Sequence, residues 1–188
     1  MTAKATVTAK EALEKLKAGN KTYLDAKTNP GDISPAIREK TAKEGQFPYA
    51  IVVTCSDSRV VPEAIFSAGV GELFVIRVAG FVIDKHQLGS IEYAADHLGT
   101  PLVLVLGHTN CGAVGAALSA HGHAEGCVGS IIEDIQKAIG TEKDPDKAVE
   151  LNVKHSKAAV ENVLGKSLPI TVVGAVYHID SGKVEFLD

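Results

Sequence analysis

Four short runs of aliphatic and β-branched residues limit what this chain can become more than any other feature. They are Ala50-Ile51-Val52-Val53-Thr54, Leu73-Phe74-Val75-Ile76, Leu102-Val103-Leu104-Val105-Leu106 and Ile170-Thr171-Val172-Val173-Gly174-Ala175-Val176. Each is too short for a helix and too uniformly apolar for a strand with one wet face. Such strands are buried on both sides and belong to parallel sheets. Helical patterns separate them: about Pro62 to Ser67, Gln87 to Leu98 before Gly99, and a helix opening near Cys111. Two more follow, Ser130 to Ile139 before Gly140 and Ala148 to Leu164 before Gly165. Strand alternating with helix means βαβ crossovers. The fold class expected is therefore α/β, with a mainly parallel central sheet of about four strands flanked by helices. Tyr177-His178-Ile179, Asp180-Ser181-Gly182 and Val184-Glu185-Phe186-Leu187 read as a hairpin that adds an antiparallel edge strand.

Upstream of the first run the pattern is purely helical. Ala12, Leu13, Leu16, Tyr23 and Leu24 fall at helical spacing between Thr8 and about Lys27, and Thr8 with Glu11 forms a capping-box signature. Asn29-Pro30-Gly31 ends that helix, and a second runs from Ser34 to about Glu44. Neither helix can build a core alone. Residues 1–45 are expected to form a helical arm that packs either on this domain or on a second copy of the chain, the partner subunit being favoured. The α/β core is expected over residues 46–188, the whole chain being one domain.

Charge and cysteine content narrow the function classes. A net charge of −4 and a pI near 6.0 supply no basic surface for a phosphate backbone, so no nucleic-acid partner is expected. No apolar run approaches the roughly 20 residues of a membrane helix, and the amino terminus lacks a signal-peptide core. Three cysteines are too few and odd in number for a secreted disulfide framework. A soluble protein of a reducing compartment, the cytoplasm, is the expectation.

The chemistry gathers where two strands stop. The first strand runs into Cys55-Ser56-Asp57-Ser58-Arg59 and the third into Gly107-His108-Thr109-Asn110-Cys111-Gly112. The carboxyl ends of strands are where open α/β sheets place their functional crevice. His108 and Cys111 are three apart across a strand-to-helix turn, and Cys55 can add a third ligand from the neighbouring strand. Two thiolates and one imidazole form a catalytic zinc set with the fourth position open. The competing reading makes Cys55 and Cys111 small buried hydrophobes. Arg59 is placed to clamp Asp57 and hold it ionised; the plainer reading is a helix-entry Asp in a surface ion pair. Cys127 has no ligand partner nearby and reads as a small buried residue. His121-Gly122-His123 lacks an acidic or Cys partner for a second metal site. His86, His97, His155 and His178 carry no assignment beyond surface or core.

Cys55-x-Asp57-x-Arg59 followed by His108-x-x-Cys111, each at a strand end, resembles the β-class carbonic anhydrases, in their plant-like branch. The likeness runs from about Gln46 to Ala117. It implies that Cys55, His108 and Cys111 bind zinc and that Asp57 and Arg59 form a catalytic dyad beside the open position. Gln46, Phe74, Tyr93 and Gly112 fall on positions that line the pocket in that branch. Family members are dimers or larger assemblies whose pocket is shared across the dimer interface, so a homo-oligomer is implied. Some departures mark this chain. Val52 stands where the bicarbonate-regulated branch has Trp, although Arg77 and Tyr177 match the rest of that noncatalytic site, so no allosteric bicarbonate pocket is expected. Arg77-Val78-Ala79-Gly80 stands for Arg-Asn-x-Ala-Asn, and Gly112-Ala113 for Gly-Gly.

The implied reaction is reversible hydration of carbon dioxide to bicarbonate by a zinc-bound hydroxide, with Asp57 orienting the nucleophile and Gln46 bonding a substrate oxygen. Two thiolates neutralise the ion, so its water is less acidified than the value of about 7 reached in an all-histidine site. Activity is then expected to rise through mildly alkaline pH. A carbonyl sulfide or carbon disulfide hydrolase on the same scaffold is the near alternative. A noncatalytic zinc protein for assembly or redox sensing is a different class, against which the Asp57–Arg59 pair argues. A nucleotide-binding domain needs a phosphate loop, and Gly69-Val70-Gly71 reads better as a loop entering a strand.

Overall fold

A computed structural model describes residues 6–120 and 125–187. Its elements run α1 (Ala9–Asp25), α2 (Pro35–Glu44), β1 (Ala50–Thr54), α3 (Pro62–Ile65), β2 (Leu73–Arg77), a 3-10 turn (Ala79–Phe81), α4 (Lys85–His97) and β3 (Leu102–His108), then α5 (Gly112–Ser119), α6 (Gly126–Ile139), α7 (Pro145–Leu164), β4 (Thr171–Tyr177) and β5 (Val184–Leu187). The five strands form one sheet in the order β2-β1-β3-β4-β5. All pairs are parallel except β4 with β5, the antiparallel edge that the carboxyl-terminal hairpin signal implied. None of the described helices is long and apolar enough to cross a membrane.

Alternation along the strands explains the uniform runs. Ile51, Val53, Val103, Val105, Val172 and Val176 share one core with Ile91 of α4, Val114 of α5, Ile135 of α6 and Val149 and Val153 of α7. Ala50, Val52, Leu102, Leu104, Leu106, Ala175 and Tyr177 share the other with Ala12 and Leu16 of α1 and Ile65 of α3. β1 and β3 are buried at every position because helices cover both faces. β2, on the edge, is mostly half-buried. One glycine on the sheet is required by close approach. A Cβ on Gly107 would lie 2.5 Å from Val153 Cγ2 and 3.1 Å from the Phe81 ring, so its absence lets α7 settle on the sheet beside His108.

The amino-terminal arm departs from expectation. The Thr8–Glu11 capping box forms as the sequence indicates, but α1 lies on the sheet of its own chain. Leu16 and Ala12 are fully buried there. Asn20, also buried, donates to the Ile65 carbonyl (3.3 Å) and the Gly182 carbonyl (2.9 Å), and its Oδ1 accepts from the Val184 N–H (3.0 Å). Without α1 the second face of the sheet would be wet, and this burial decides the placement. Only α2 keeps the character of an arm, for none of its residues is buried. Three helices begin earlier than the apolar pattern indicates, and one of them, α7, opens at Pro145 behind an Asp144 cap. Asp84 caps α4 in a box with Gln87, and α6 opens through Gly126-Cys127-Val128-Gly129, a stretch whose glycines mask the helical periodicity. Gly69–Gly71 is the loop entering β2, as read from the sequence.

Candidate metal centre

The carboxyl ends of β1 and β3 lie side by side in parallel register, Thr54 opposite Leu106. Cys55 follows the first, His108 ends the second, and Cys111 is the N-cap of α5 one turn later. The ligand atoms of the three lie within 4.8 Å of one another, and all three residues are buried. His108 decides whether a metal fits. Its Nδ1 lies 2.9 Å from the Thr109 carbonyl, which can only accept, so Nδ1 carries the proton. Nε2 then presents a lone pair toward the two sulfurs, and it is the one buried side-chain nitrogen or oxygen among the described residues with no hydrogen-bond partner. An orphaned buried acceptor beside two thiols is costly unless a cation takes all three. Two sulfurs and an imidazole nitrogen are a donor set that suits zinc.

The electrostatics point the same way. The Cys55 thiol is pulled far below its ordinary value, first by the hydrogen bond from Cys111 and then by the N–H groups of Asp57 and Gly80, against the opposing effect of burial. The Gly80 N–H donates to Cys55 Sγ at 3.4 Å. The neighbouring Cys55 sulfur and burial push Cys111 up, while the Val114 and Ala113 N–H groups at the start of α5 favour its thiolate. Two sulfurs this close disfavour being ionised together unless a divalent cation lies between them.

Asp57 and Arg59 meet as expected. Arg59 Nε donates to Asp57 Oδ1 at 2.9 Å and Nη2 to Oδ2 at 2.7 Å, the bidentate fork that matches a carboxylate. The Arg59 backbone N–H adds a third bond to Oδ1, and Nη2 also donates to the Asn110 carbonyl at 3.1 Å. The Arg59 side chain, before the opposing burial, holds the Asp57 carboxyl well below the usual carboxylate range. Because Asn110 sits between His108 and Cys111 at φ 54°, this one guanidinium joins the β1 loop to the β3 loop.

The pocket residues are less closely gathered. Phe74 and Tyr93 are neighbours, their ring centroids 6.3 Å apart, and Tyr93 stacks on His97 at 5.0 Å. Neither makes a described hydrogen bond or ring contact with Cys55, His108 or Cys111. Gly112 opens α5 with nothing near its Cβ direction. Gln46 is exposed and precedes β1, whereas Cys55 follows it, so the two lie at opposite ends of the sheet within one chain. Cys127 is exposed at the start of α6, not buried as expected, because the first turn of that helix projects beyond the core. His121 and His123 lie outside the described residues.

Three residues, Arg77, Asn152 and Ser156, have structural roles here that sequence reasoning did not assign. Arg77 donates from Nη2 to the Asp57 carbonyl (2.7 Å) and from Nε to the Cys55 carbonyl (3.1 Å), so it braces the loop that carries both. Tyr177, its companion in the bicarbonate-site comparison, instead meets Tyr23 of α1, hydroxyl to hydroxyl at 3.2 Å. Asn152 and Ser156 are buried on α7 and donate to the Gly80 and Phe81 carbonyls. Their signal was available: two polar residues one turn apart on the apolar stripe of Val149, Val153 and Val160.

An open parallel sheet with a thiolate–imidazole–thiolate set at adjoining strand ends, beside an arginine-clamped carboxylate, defines a metal-dependent α/β enzyme. The family model for carbonic anhydrase matches residues 50–184. A carbonic anhydrase of Mycolicibacterium smegmatis is 38% identical, the match covering 93% of this chain and 91% of that one. "Carbonic anhydrase 2" of Mycobacterium tuberculosis is 37% identical over 94% of this chain and 92% of its own. The solved β-carbonic anhydrase of Coccomyxa, in complex with acetazolamide, superposes with a TM-score of 0.66 at 31% identity, covering 83% of this chain and 86% of that one. The chain belongs to the β-carbonic anhydrase family. Its reaction is the reversible hydration of carbon dioxide, and zinc is its cofactor. The carbonyl sulfide and carbon disulfide alternative gains no support from these relatives.

Proposed function

We propose that Cys55, His108 and Cys111 hold the zinc ion and that Asp57 and Arg59 are the residues that handle the attacking solvent molecule. The observation that carries this is the buried, unpartnered Nε2 of His108 within 4.8 Å of two cysteine sulfurs. When bound, zinc lowers the pKa of a coordinated water and so supplies a nucleophile near neutral pH. Asp57, ionised and fixed by the Arg59 fork, would accept a hydrogen bond from the attacking solvent molecule and orient it toward carbon dioxide. The Arg59 fork would hold the carboxylate in that orientation, and with the fork open Asp57 would be free to serve as a fourth ligand. Gly112 leaves the wall beside Cys111 open. Phe74 and Tyr93 supply the apolar surface that a nearly apolar gas requires, in keeping with the plant-like branch.

Gln46 reaches a substrate only in an assembly. Its place at the amino-terminal end of the sheet supports a homo-oligomer, most simply a dimer, in which one chain lends Gln46 to the centre of the next. Ile33, Phe47 and Val70, respectively 68%, 57% and 37% exposed, give that end of the molecule apolar surface to bury. One domain of arm and core, with all three cysteines free, suits a cytoplasmic enzyme.

Metal analysis beside a carbon dioxide hydration assay tests the assignment. Wild-type protein is expected to hold about one zinc per chain, by the three-ligand logic of a catalytic site, and to be inhibited by acetazolamide. His108→Ala is expected to lose both metal and turnover. Fully active protein without bound zinc would overturn the assignment.

A further inference from the structure

Asn152 and Ser156 are each only 1% exposed, on a stripe of α7 otherwise made of Val149, Val153 and Val160. Polar side chains in such a stripe are costly unless bonded. Both are spent on one feature. Asn152 Nδ2 donates to the Gly80 carbonyl at 2.8 Å, and Ser156 Oγ donates to the Phe81 carbonyl at 3.1 Å. These are consecutive carbonyls of the 3-10 turn, and the i, i+4 spacing on the helix sets the two donors side by side.

The turn needs holding. Gly80 and Phe81 lie at φ 66° and 45°, and the second is an unfavourable place for any residue with a Cβ. The turn's other edge faces the metal centre. The Val78 N–H donates to the Thr54 carbonyl at 3.1 Å, which ties the turn's entry to the end of β1. The Gly80 N–H then reaches Cys55 Sγ at 3.4 Å. A Cβ on Gly80 would lie 2.6 Å from Ile135 Cδ1 and 3.2 Å from Ala113 Cβ, so the turn is also wedged from α6 and α5.

We propose that Asn152, supported by Ser156, is a positioning residue for the metal centre: through the Gly80 turn it aims one backbone N–H at the Cys55 sulfur. An N–H bonded to a metal thiolate draws charge away from the sulfur, so less of the ion's charge is neutralised. In a site with two thiolates that charge governs how far a bound water is acidified. The inference rests on Cys55 being a zinc ligand.

The zinc protein and its cobalt-substituted form test it. Asn152→Leu keeps the side chain's approximate size and removes the donor; Asn152→Ala removes both. Val160→Ala truncates the same buried stripe without touching the turn. The two Asn152 variants are expected to shift the sulfur-to-cobalt charge-transfer absorption and to weaken zinc binding, measured by chelator competition, by about 10–100-fold. Val160→Ala is expected to lower thermal stability with both readouts unchanged. Ser156→Ala moves them the same way by less, and decides the matter if the Asn152 variants do not fold. Absorption and zinc affinity equal to wild type in Asn152→Leu, or in Ser156→Ala where that variant decides, would overturn the proposal. Equal shifts in Val160→Ala would do the same. Wild-type cobalt protein without a thiolate charge-transfer band would instead remove Cys55 from the ligand set.

Discussion

The guanidinium of Arg77 lies along the backbone of Asp57, with Nη2 donating to the Asp57 carbonyl at 2.7 Å while Nε holds the Cys55 carbonyl at 3.1 Å. An edge-strand residue thereby fixes the loop that carries a metal donor and the clamped carboxylate. Charge-assisted bonds of this kind contribute about 1.5–3 kcal/mol each when sheltered, and less where exposed, as Arg77 is. Arg77→Gln is expected to fold, to lose one or two kcal/mol, roughly, and to drop kcat by about tenfold or more, since 1.4 kcal/mol of misplacement is already tenfold. Hydration kinetics beside a thermal melt check this; unchanged kcat would mean the loop holds itself.

The dyad makes a separable claim. Asp57→Ala removes the group proposed to aim the solvent molecule and leaves all three candidate metal donors in place. Turnover is expected to fall by about 10²–10⁴-fold, the usual worth of a positioned acid–base group, while zinc content stays at the wild-type level. Arg59→Lys replaces a fork by a point charge and gives an intermediate loss. Parallel metal analysis and hydration assays distinguish a lost dyad from a lost metal.

Acid sensitivity follows from the same pair. The Arg59 side chain lowers the Asp57 pKa in the folded state, so folding favours the ionised form. That contribution to stability is fully present above the ordinary carboxylate value of about 3.9 and is lost as pH falls through the lower folded-state value. The stability gap between wild type and Asp57→Asn in urea is expected to stay constant from pH 8 down to about 5 and to close below about 4. A gap that already narrows between pH 7 and 5 would contradict the clamp. Activity, in contrast, is expected to rise through mildly alkaline pH, where Asp57 no longer titrates.

Asn20 ties three separate elements with one amide. Its bonds to Ile65, Gly182 and Val184 join α1 to the end of α3 and to the β4–β5 hairpin. Asn20→Ala leaves two carbonyls and one N–H buried without partners, at a cost of about 2–4 kcal/mol. A fall of roughly 5–15 °C in the melting midpoint is expected for a chain of this size. Loss of less than about 2 °C would mean that water replaces the amide.

Deleting the chain up to Pro30 tests where α1 belongs. Removal uncovers Ala50, Val52 and Leu104 along with the rest of that core, so the expected product is aggregated or unfolded. An assembly-interface helix would instead leave a folded, smaller species. Sedimentation and circular dichroism of the truncated chain distinguish the two.

The sequence by itself determined the strands, the sheet's parallel character and the candidate metal donors. Uniform aliphatic runs form strands, buried on both faces in β1 and β3 where helices cover them and half-buried in edge β2. Cys55, His108 and Cys111 stand at strand ends that local pattern alone can locate. Only the tertiary structure decided what spans elements. The seating of α1 depends on which apolar face lacks a cover. The grip of Arg77 on two carbonyls depends on β2 lying beside β1, and the contact from Asn152 to Gly80 joins residues 72 positions apart. Burial of a run is a property of the run, but a hydrogen bond between distant residues exists only after the sheet order has placed its donor and acceptor within 3 Å or so of each other.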